Sequence, residues 1–309
     1  MEPPYGVIWD ELTDGNVIPF LGAGASMAGR KEQKWDPDNP TCLPSGWELS
    51  KLLAEKASFP EDDPRDLEDL AKVSSYYLVA AGREALNKQL LRVLNRPFVP
   101  GSLHEMLAGA LGCRLFVSTN YDLLLEGAFL RAERPFDLII YARDQKEFAN
   151  SVLWWRYDAL VQKKDPEPID PSLLDIDLTK TTVIYKMHGS VVGLSPKWDN
   201  FVIAEEDYIE FLSRLQNVVP ARLFEYSVNR HLLFLGYSLR DWNLRVVLRN
   251  LREKREDFGE LQPSWAIQRN PSPLERKLWE RRNVEIYDVD LEVFVERLKQ
   301  QTKSKRAAS

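Results

Sequence analysis

Val17-Ile18-Pro19-Phe20-Leu21-Gly22-Ala23-Gly24-Ala25-Ser26 is the stretch on which the fold turns. Five apolar residues with no polar residue between them form the pattern of a strand covered on both faces, as in a parallel sheet. The small residues that follow make a turn where backbone can approach a ligand closely and offer N–H groups to phosphate oxygens. Two familiar phosphate loops are excluded. Met27 stands where a G-x-G-x-x-G loop needs its third glycine, and no Gly-Lys-Ser/Thr follows. A tight turn chosen for packing is the plainer alternative.

Outward from that stretch the same rhythm recurs. Short apolar runs at 115–117, 138–141, 183–185, 232–235, 265–267 and 284–287 alternate with helical patterns, most clearly at 239–254, 272–282 and 290–301. Alternation of this kind predicts a doubly wound, mostly parallel α/β sheet built as a single domain over 1–309. One interval departs from it. Residues 44–112 hold no convincing strand but do hold two S-x-x-E capping boxes, Ser45 to Glu48 and Ser102 to Glu105, and apolar residues at helical spacing that pause near Gly82. They predict an inserted helical lobe. Residues 31–44 and 163–171 are expected as loops, 300–309 as a disordered basic tail, and the Trp154-Trp155 pair with Tyr157 as helical core or an oligomer contact.

Composition narrows the function. The chain has 309 residues, 44% hydrophobic and 28% charged, with 47 acidic against 41 basic residues and a net charge of −6. That sign disfavours a protein that grips phosphate backbones, so direct nucleic-acid binding is not expected. Arg245, Arg249, Arg252, Lys254 and Arg255 are more simply a solvated helix face. No apolar run reaches the roughly 18 residues a membrane span needs and no leader pattern opens the chain, so a cytoplasmic location is expected. Two separate cysteines, Cys42 and Cys113, cannot build a zinc site, and no metal is expected.

Three further motifs fall at strand ends. Ser118-Thr119-Asn120-Tyr121-Asp122 follows one strand, Tyr185-Lys186-Met187-His188-Gly189-Ser190 closes another, and Gly236-Tyr237-Ser238-Leu239-Arg240-Asp241 follows a third. Carboxyl ends of parallel strands share one crevice, so the four motifs predict one extended ligand lying across that edge. Of three histidines, His104 and His231 have ordinary structural positions. His188 stands at a strand end, where a neutral imidazole can accept a proton.

The ordered set GAGAS, STNYD, KMHGS and FLGYSLRD resembles the sirtuin-like NAD-hydrolysing effector domains of bacterial anti-phage defence systems. The similarity runs from about residue 17 to 298 and takes in Pro44-Ser45-Gly46-Trp47 and Ala204-Glu205-Glu206-Asp207-Tyr208. It implies a sirtuin-like Rossmann variant. It further implies that Gly22, Ala23, Gly24 and Ser26 contact the pyrophosphate and nearby ribose of NAD+, that Thr119, Asn120 and Asp122 lie beside the nicotinamide ribose, and that Gly236, Ser238 and Tyr287 line the adenosine end. The same resemblance implies that Asn120 positions water, that Asp122 orients the carboxamide and that His188 is the catalytic histidine. Two departures, the missing four-cysteine zinc module and Lys31-Glu32-Gln33-Lys34-Trp35 in place of a Pro-Asp-Phe-Arg stretch, point away from protein deacylation. The resemblance therefore implies an NAD+ glycohydrolase releasing nicotinamide and ADP-ribose, gated by homo-oligomerisation or a separate sensor protein. A catalytically silent NAD or ADP-ribose binding subunit and a zinc-independent deacylase stay open as alternatives.

Overall fold

The computed structural model describes residues 2–30, 34–60, 65–143, 150–192, 200–215, 219–237, 246, 249 and 262–306. Its elements run α1 (Tyr5–Asp14), β1 (Val17–Leu21), α2 (Ala23–Ser26), α3 (Gly46–Ala57), α4 (Leu70–Ala81), α5 (Arg83–Leu94), α6 (Ser102–Gly109), β2 (Leu115–Ser118) and α7 (Leu124–Arg131). They continue with β3 (Asp137–Tyr141), β4 (Val152–Trp155), α8 (Tyr157–Val161), β5 (Glu167–Ile169), β6 (Val183–Lys186), α9 (Glu205–Ser213), α10 (Ala221–Ser227), β7 (His231–Leu235), β8 (Ser264–Gln268), α11 (Pro273–Glu280), β9 (Val284–Asp288) and α12 (Leu291–Arg306).

One sheet carries the strand order β5-β4-β3-β6-β2-β1-β7-β8-β9. All neighbours from β3 to β9 are parallel, while β4 runs antiparallel to both β3 and β5. The predicted doubly wound, mostly parallel architecture is the one observed. From β1 the chain passes to β2 on one side and later returns to β7 on the other, so the order reverses at β1 and leaves a crevice at its carboxyl end. Pro19 has no N–H to give, and it stands one residue before the β1–β2 pairing starts at Phe20.

The central strands bury both faces, which is why their sequences do not alternate. Val17 and Leu21 face a core made with α1, α6, α7 and α12, whereas Ile18 and Phe20 face a second core with Phe211 of α9, Leu223 of α10 and Trp279 of α11. A third core belongs to the helical insertion. There Leu49, Leu53, Val73, Tyr77, Leu86 and Leu90 close on one another and on Leu124, Val191 and Phe201, beyond the carboxyl ends of β2 and β6. No strand interrupts the described part of 44–112. Its last helix, α6, packs on the sheet rather than in the lobe.

Several local expectations need correcting. The Ser45 capping box is present, with Ser45 Oγ accepting from the Glu48 amide and the Glu48 carboxylate accepting from the Ser45 amide. The Ser102 box is not: Gly101 occupies the cap and Ser102 is already the first helical residue. Trp154 and Trp155 lie in β4, not in a helix. Their rings point to opposite faces, each into one of the two sheet cores, as successive strand residues must. The segment expected as a loop at 163–171 contains β5, whose Pro168 is tolerated because the strand is at the sheet edge. The expected tail is helical as far as Arg306. The helix expected at 239–254 lies, apart from residues 246 and 249, outside the described residues, as do Arg245, Arg252, Lys254 and Arg255 of the basic face.

Candidate active site

The carboxyl ends of β1, β2, β6 and β7 open into one cleft of about 800 Å³. Gly22, Ala23, Gly24, Ser26, Thr119, Asn120, Asp122, His188 and Gly236 all line it. Its opposite wall comes from the helical lobe and the segment before it, through Leu43, Ser45, Leu49, Leu70 and Leu94. Of the remaining residues expected in the site, Ser238 lies outside the described residues. Tyr287 is elsewhere: its ring is 3% exposed in the core shared with α12, and its hydroxyl donates to Glu285. Its β8 partner Ile267 and Val289, two residues on, do line the cleft, so Tyr287 lies beside the lining rather than in it.

The glycine turn is built for close approach. The Gly22 amide donates to the Leu235 carbonyl at 3.1 Å and the Gly24 amide to the Gly236 carbonyl at 2.8 Å, stitching the end of β1 to the end of β7. These two amides, expected to face phosphate, are taken up by the protein. The glycines are what let the two turns pack so closely: a Cβ on Gly22 or Gly24 would press into the Gly236-Tyr237 backbone, and one on Gly236, at φ +64°, would overlap the Ala25 amide.

A hydrogen-bond chain then joins β1 to β2. Asn120 Nδ2 donates to the Gly22 carbonyl at 2.9 Å and to Ser26 Oγ at 2.8 Å. Ser26 in turn donates to Asp122 Oδ2 at 2.6 Å, and Asp122 Oδ1 accepts from the Leu124 amide at 3.0 Å. The direction of this chain settles the Asn120 amide. Both its N–H donors are engaged, so Oδ1 is the atom left to accept from a water or hydroxyl in the cleft. Asp122, expected to orient a carboxamide, has both oxygens on protein donors and acts on Ser26.

His188 enters from β6 and is 5% exposed. Tyr208 and Phe211 of α9 pack edge-on against its ring, at centroid distances of 5.4 and 5.3 Å. With no anion beside it, burial pushes its pKa down to about 4, so the imidazole is neutral near pH 7. The adjacent Tyr121 hydroxyl donates to the Val202 carbonyl at 2.6 Å, tying the β2 turn to the segment that leads into α9.

Residues 114–287, more than half of the chain, match the SIR2-like domain. The chain belongs to the SIR2-like domain family. Among curated proteins, this SIR2-like chain is 24% identical over 266 residues to the NAD(+) hydrolase ThsA of Enterococcus faecium, covering 85% of the chain and 43% of that protein. It is 21% identical over 288 residues to Defense-associated sirtuin 2 of Bacillus subtilis, covering 91% of the chain and 24% of that protein. The chain thus spans about two-fifths of the length of the first relative and a quarter of the second. A solved Sir2 enzyme structure aligns over 99% of the chain with a TM-score of 0.45 and 11% identity. The SIR2-like match begins beyond the glycine turn, yet that turn shares the cleft with the matched residues.

Other lining residues were not singled out from sequence. Gln268 ends β8 and Arg269 and Asn270 follow it, while Asp290 and Glu292 follow β9. The rule that carboxyl strand ends share a crevice reaches them too, but no glycine or histidine draws attention to them. Arg30 is another, held at the cleft by both Glu48 carboxylate oxygens at 2.6 Å. Among the described residues, no group of three or more His, Cys, Asp or Glu could hold a metal ion, and no helix is long and apolar enough to cross a membrane.

Proposed function

We propose that this SIR2-like domain cleaves NAD+ at the bond between nicotinamide and ribose, releasing nicotinamide and ADP-ribose. One observation carries the reading. Asn120, with both amide donors engaged and Oδ1 open, shares a cleft with a buried neutral His188. The printed activity of the ThsA relatives, NAD(+) hydrolase, supports the choice of substrate. NAD+ is an extended ligand, as a cleft reaching from β6 across β1 to β8 and β9 requires.

The chemistry asks little of a general acid. Nicotinamide leaves with the electron pair of the C1′–N bond and becomes neutral, while positive charge gathers on the ribose. Water then bonds to C1′ and must lose a proton. Asn120 Oδ1 holds that water or a ribose hydroxyl, and neutral His188 accepts the proton, directly or through a ribose hydroxyl. Gly22, Ala23, Gly24, Ser26 and Thr119 cradle the phosphates and ribose; Gly236 and Ser238 serve the adenosine side. Asp122 works through Ser26. No step requires a metal.

Asn120→Ala is expected to lower kcat by about 10²–10³-fold with NAD+ binding retained, read as nicotinamide release together with calorimetric titration. Full activity in both Asn120→Ala and His188→Ala would overturn the site assignment. Nicotinamide release that occurs only with an acyl-lysine peptide, accompanied by O-acyl-ADP-ribose, would favour deacylation instead. Tight NAD+ binding with no cleavage in any state would favour a silent binding subunit. Within one domain over 1–309 carrying the helical insertion 44–112, the SIR2-like fold would serve anti-phage defence by depleting NAD+. Such an activity needs gating, which we assign to activation by homo-oligomeric assembly or by a separate sensor protein.

A further inference from the structure

Beneath the Asp122 turn lies a polar cage that the proposed chemistry does not use. Lys186 ends β6, two residues before His188, and in the sheet register it stands opposite Ser118, the last residue of β2. It is 1% exposed, and no other lysine among the described residues is buried. Its ammonium donates to the Asp122 backbone carbonyl at 2.6 Å and lies 3.1 Å from Glu126 Oε1 on α7. Glu126 is itself buried, and burial raises its pKa against the pull of Lys186. His104 of α6 closes the cage, fully buried, with no hydrogen-bond partner for Nδ1 and within electrostatic reach of Asp122 and Lys186.

Stability alone is a poor reason for such a cage. Removing an ammonium and a carboxylate from water costs so much that well-packed apolar residues of similar size often serve as well or better. Position offers another reason. The ammonium holds the backbone of the residue whose carboxylate takes the Ser26 hydroxyl, and Ser26 accepts from Asn120. The same lysine's backbone belongs to the strand that delivers His188. One side chain therefore ties the asparagine-bearing turn to the histidine-bearing strand.

We propose that Lys186, with Glu126 as its counterion, is a positioning residue that holds the Asp122 turn, and through Ser26 the Asn120 amide, in register with His188. The kinetic part of this proposal rests on NAD+ cleavage as the function; the structural part does not.

The test removes both charges together, so that neither is left buried alone. Lys186→Met with Glu126→Leu is made in the full chain and assayed in whichever assembled or partner-bound state the parent cleaves NAD+. The expected result is a folded variant with a KM for NAD+ within about threefold of the parent and a kcat lower by about 100-fold, the size of effect that small misplacements of reacting groups produce. Hydrogen exchange at the Asn120 and Leu124 amides should quicken about tenfold while the rest of the sheet keeps its protection. A kcat within about threefold of the parent, with those two amides exchanging at the parent rate, overturns the proposal. So does a KM that rises in step with the fall in kcat while exchange quickens throughout the sheet. Lys186→Gln with Glu126→Gln keeps hydrogen-bonding groups in the cage, and the same outcomes apply to it if the apolar pair does not fold. If the parent releases no nicotinamide in any state, the functional reading falls, and exchange at Asn120 and Leu124 still decides the positioning role.

Discussion

His188 shows how much of a residue's chemistry comes from its surroundings. Its strand-end position is legible in the sequence, but its neutrality is not, because that depends on the Tyr208 and Phe211 rings supplied by α9. Burial holds the folded-state pKa at about 4, below the ordinary 6.5. As pH falls from about 6.5 to 4, the unfolded chain takes up a proton that the folded chain refuses, so the folded state loses about 3 kcal/mol over that window. Denaturant unfolding at pH 7 and pH 4 should show this loss in the parent and not in His188→Gln. Lys186 is the opposite case. A lysine at the end of an apolar run reads as a strand leaving the core for solvent, and only the fold brings Asp122 and Glu126 to its ammonium. Tyr287 misses the cleft for a different reason: its ring packs into the core shared with α12, while the lining falls to Ile267, its partner on β8, and to Val289, two residues on, a choice that the sequence does not mark.

Among the elements, those with their own periodicity or punctuation were legible. The seven parallel strands, the Ser45 cap and the Gly82 break between α4 and α5 follow from local sequence. The antiparallel β4 and β5 do not. Four and three residues are too short to show a period, and β4 is buried on both faces only because the cores on either side reach past β3. The Arg30–Glu48 pair joins the segment after the glycine turn to the start of α3, where Glu48 also closes the cap. The Arg30 guanidinium, desolvation notwithstanding, lowers the Glu48 carboxyl to about 2. Its stabilising contribution is full above pH 4.5 and disappears as pH falls through about 2. Glu48→Gln should lower stability at pH 7 by about 1–2 kcal/mol, measured by urea unfolding, with the difference closing at acid pH.

For the whole molecule, the cleft depends on how the lobe is held to the sheet. Arg83, at the start of α5, pairs with the fully buried Asp207 carboxylate, which also receives Arg143 and the amides of Ile203 and Ala204 at the start of α9. Because Tyr208 follows Asp207, the tie reaches the wall of His188. Arg83→Met leaves Asp207 its other partners and should cost about 2 kcal/mol of stability, seen as a lower urea midpoint.

The two rims of the sheet carry a consequence for assembly. At one end, β5 is three residues long and its central Pro168 has no N–H to offer a neighbouring strand. At the other, the Ile286 carbonyl of β9 already accepts from Arg276 at 2.9 Å, and Glu285 places a charge along that border. Both borders carry features that discourage a further strand. Under the proposed gating, a second copy or a sensor protein would meet the domain through helices and loops rather than by lengthening its sheet.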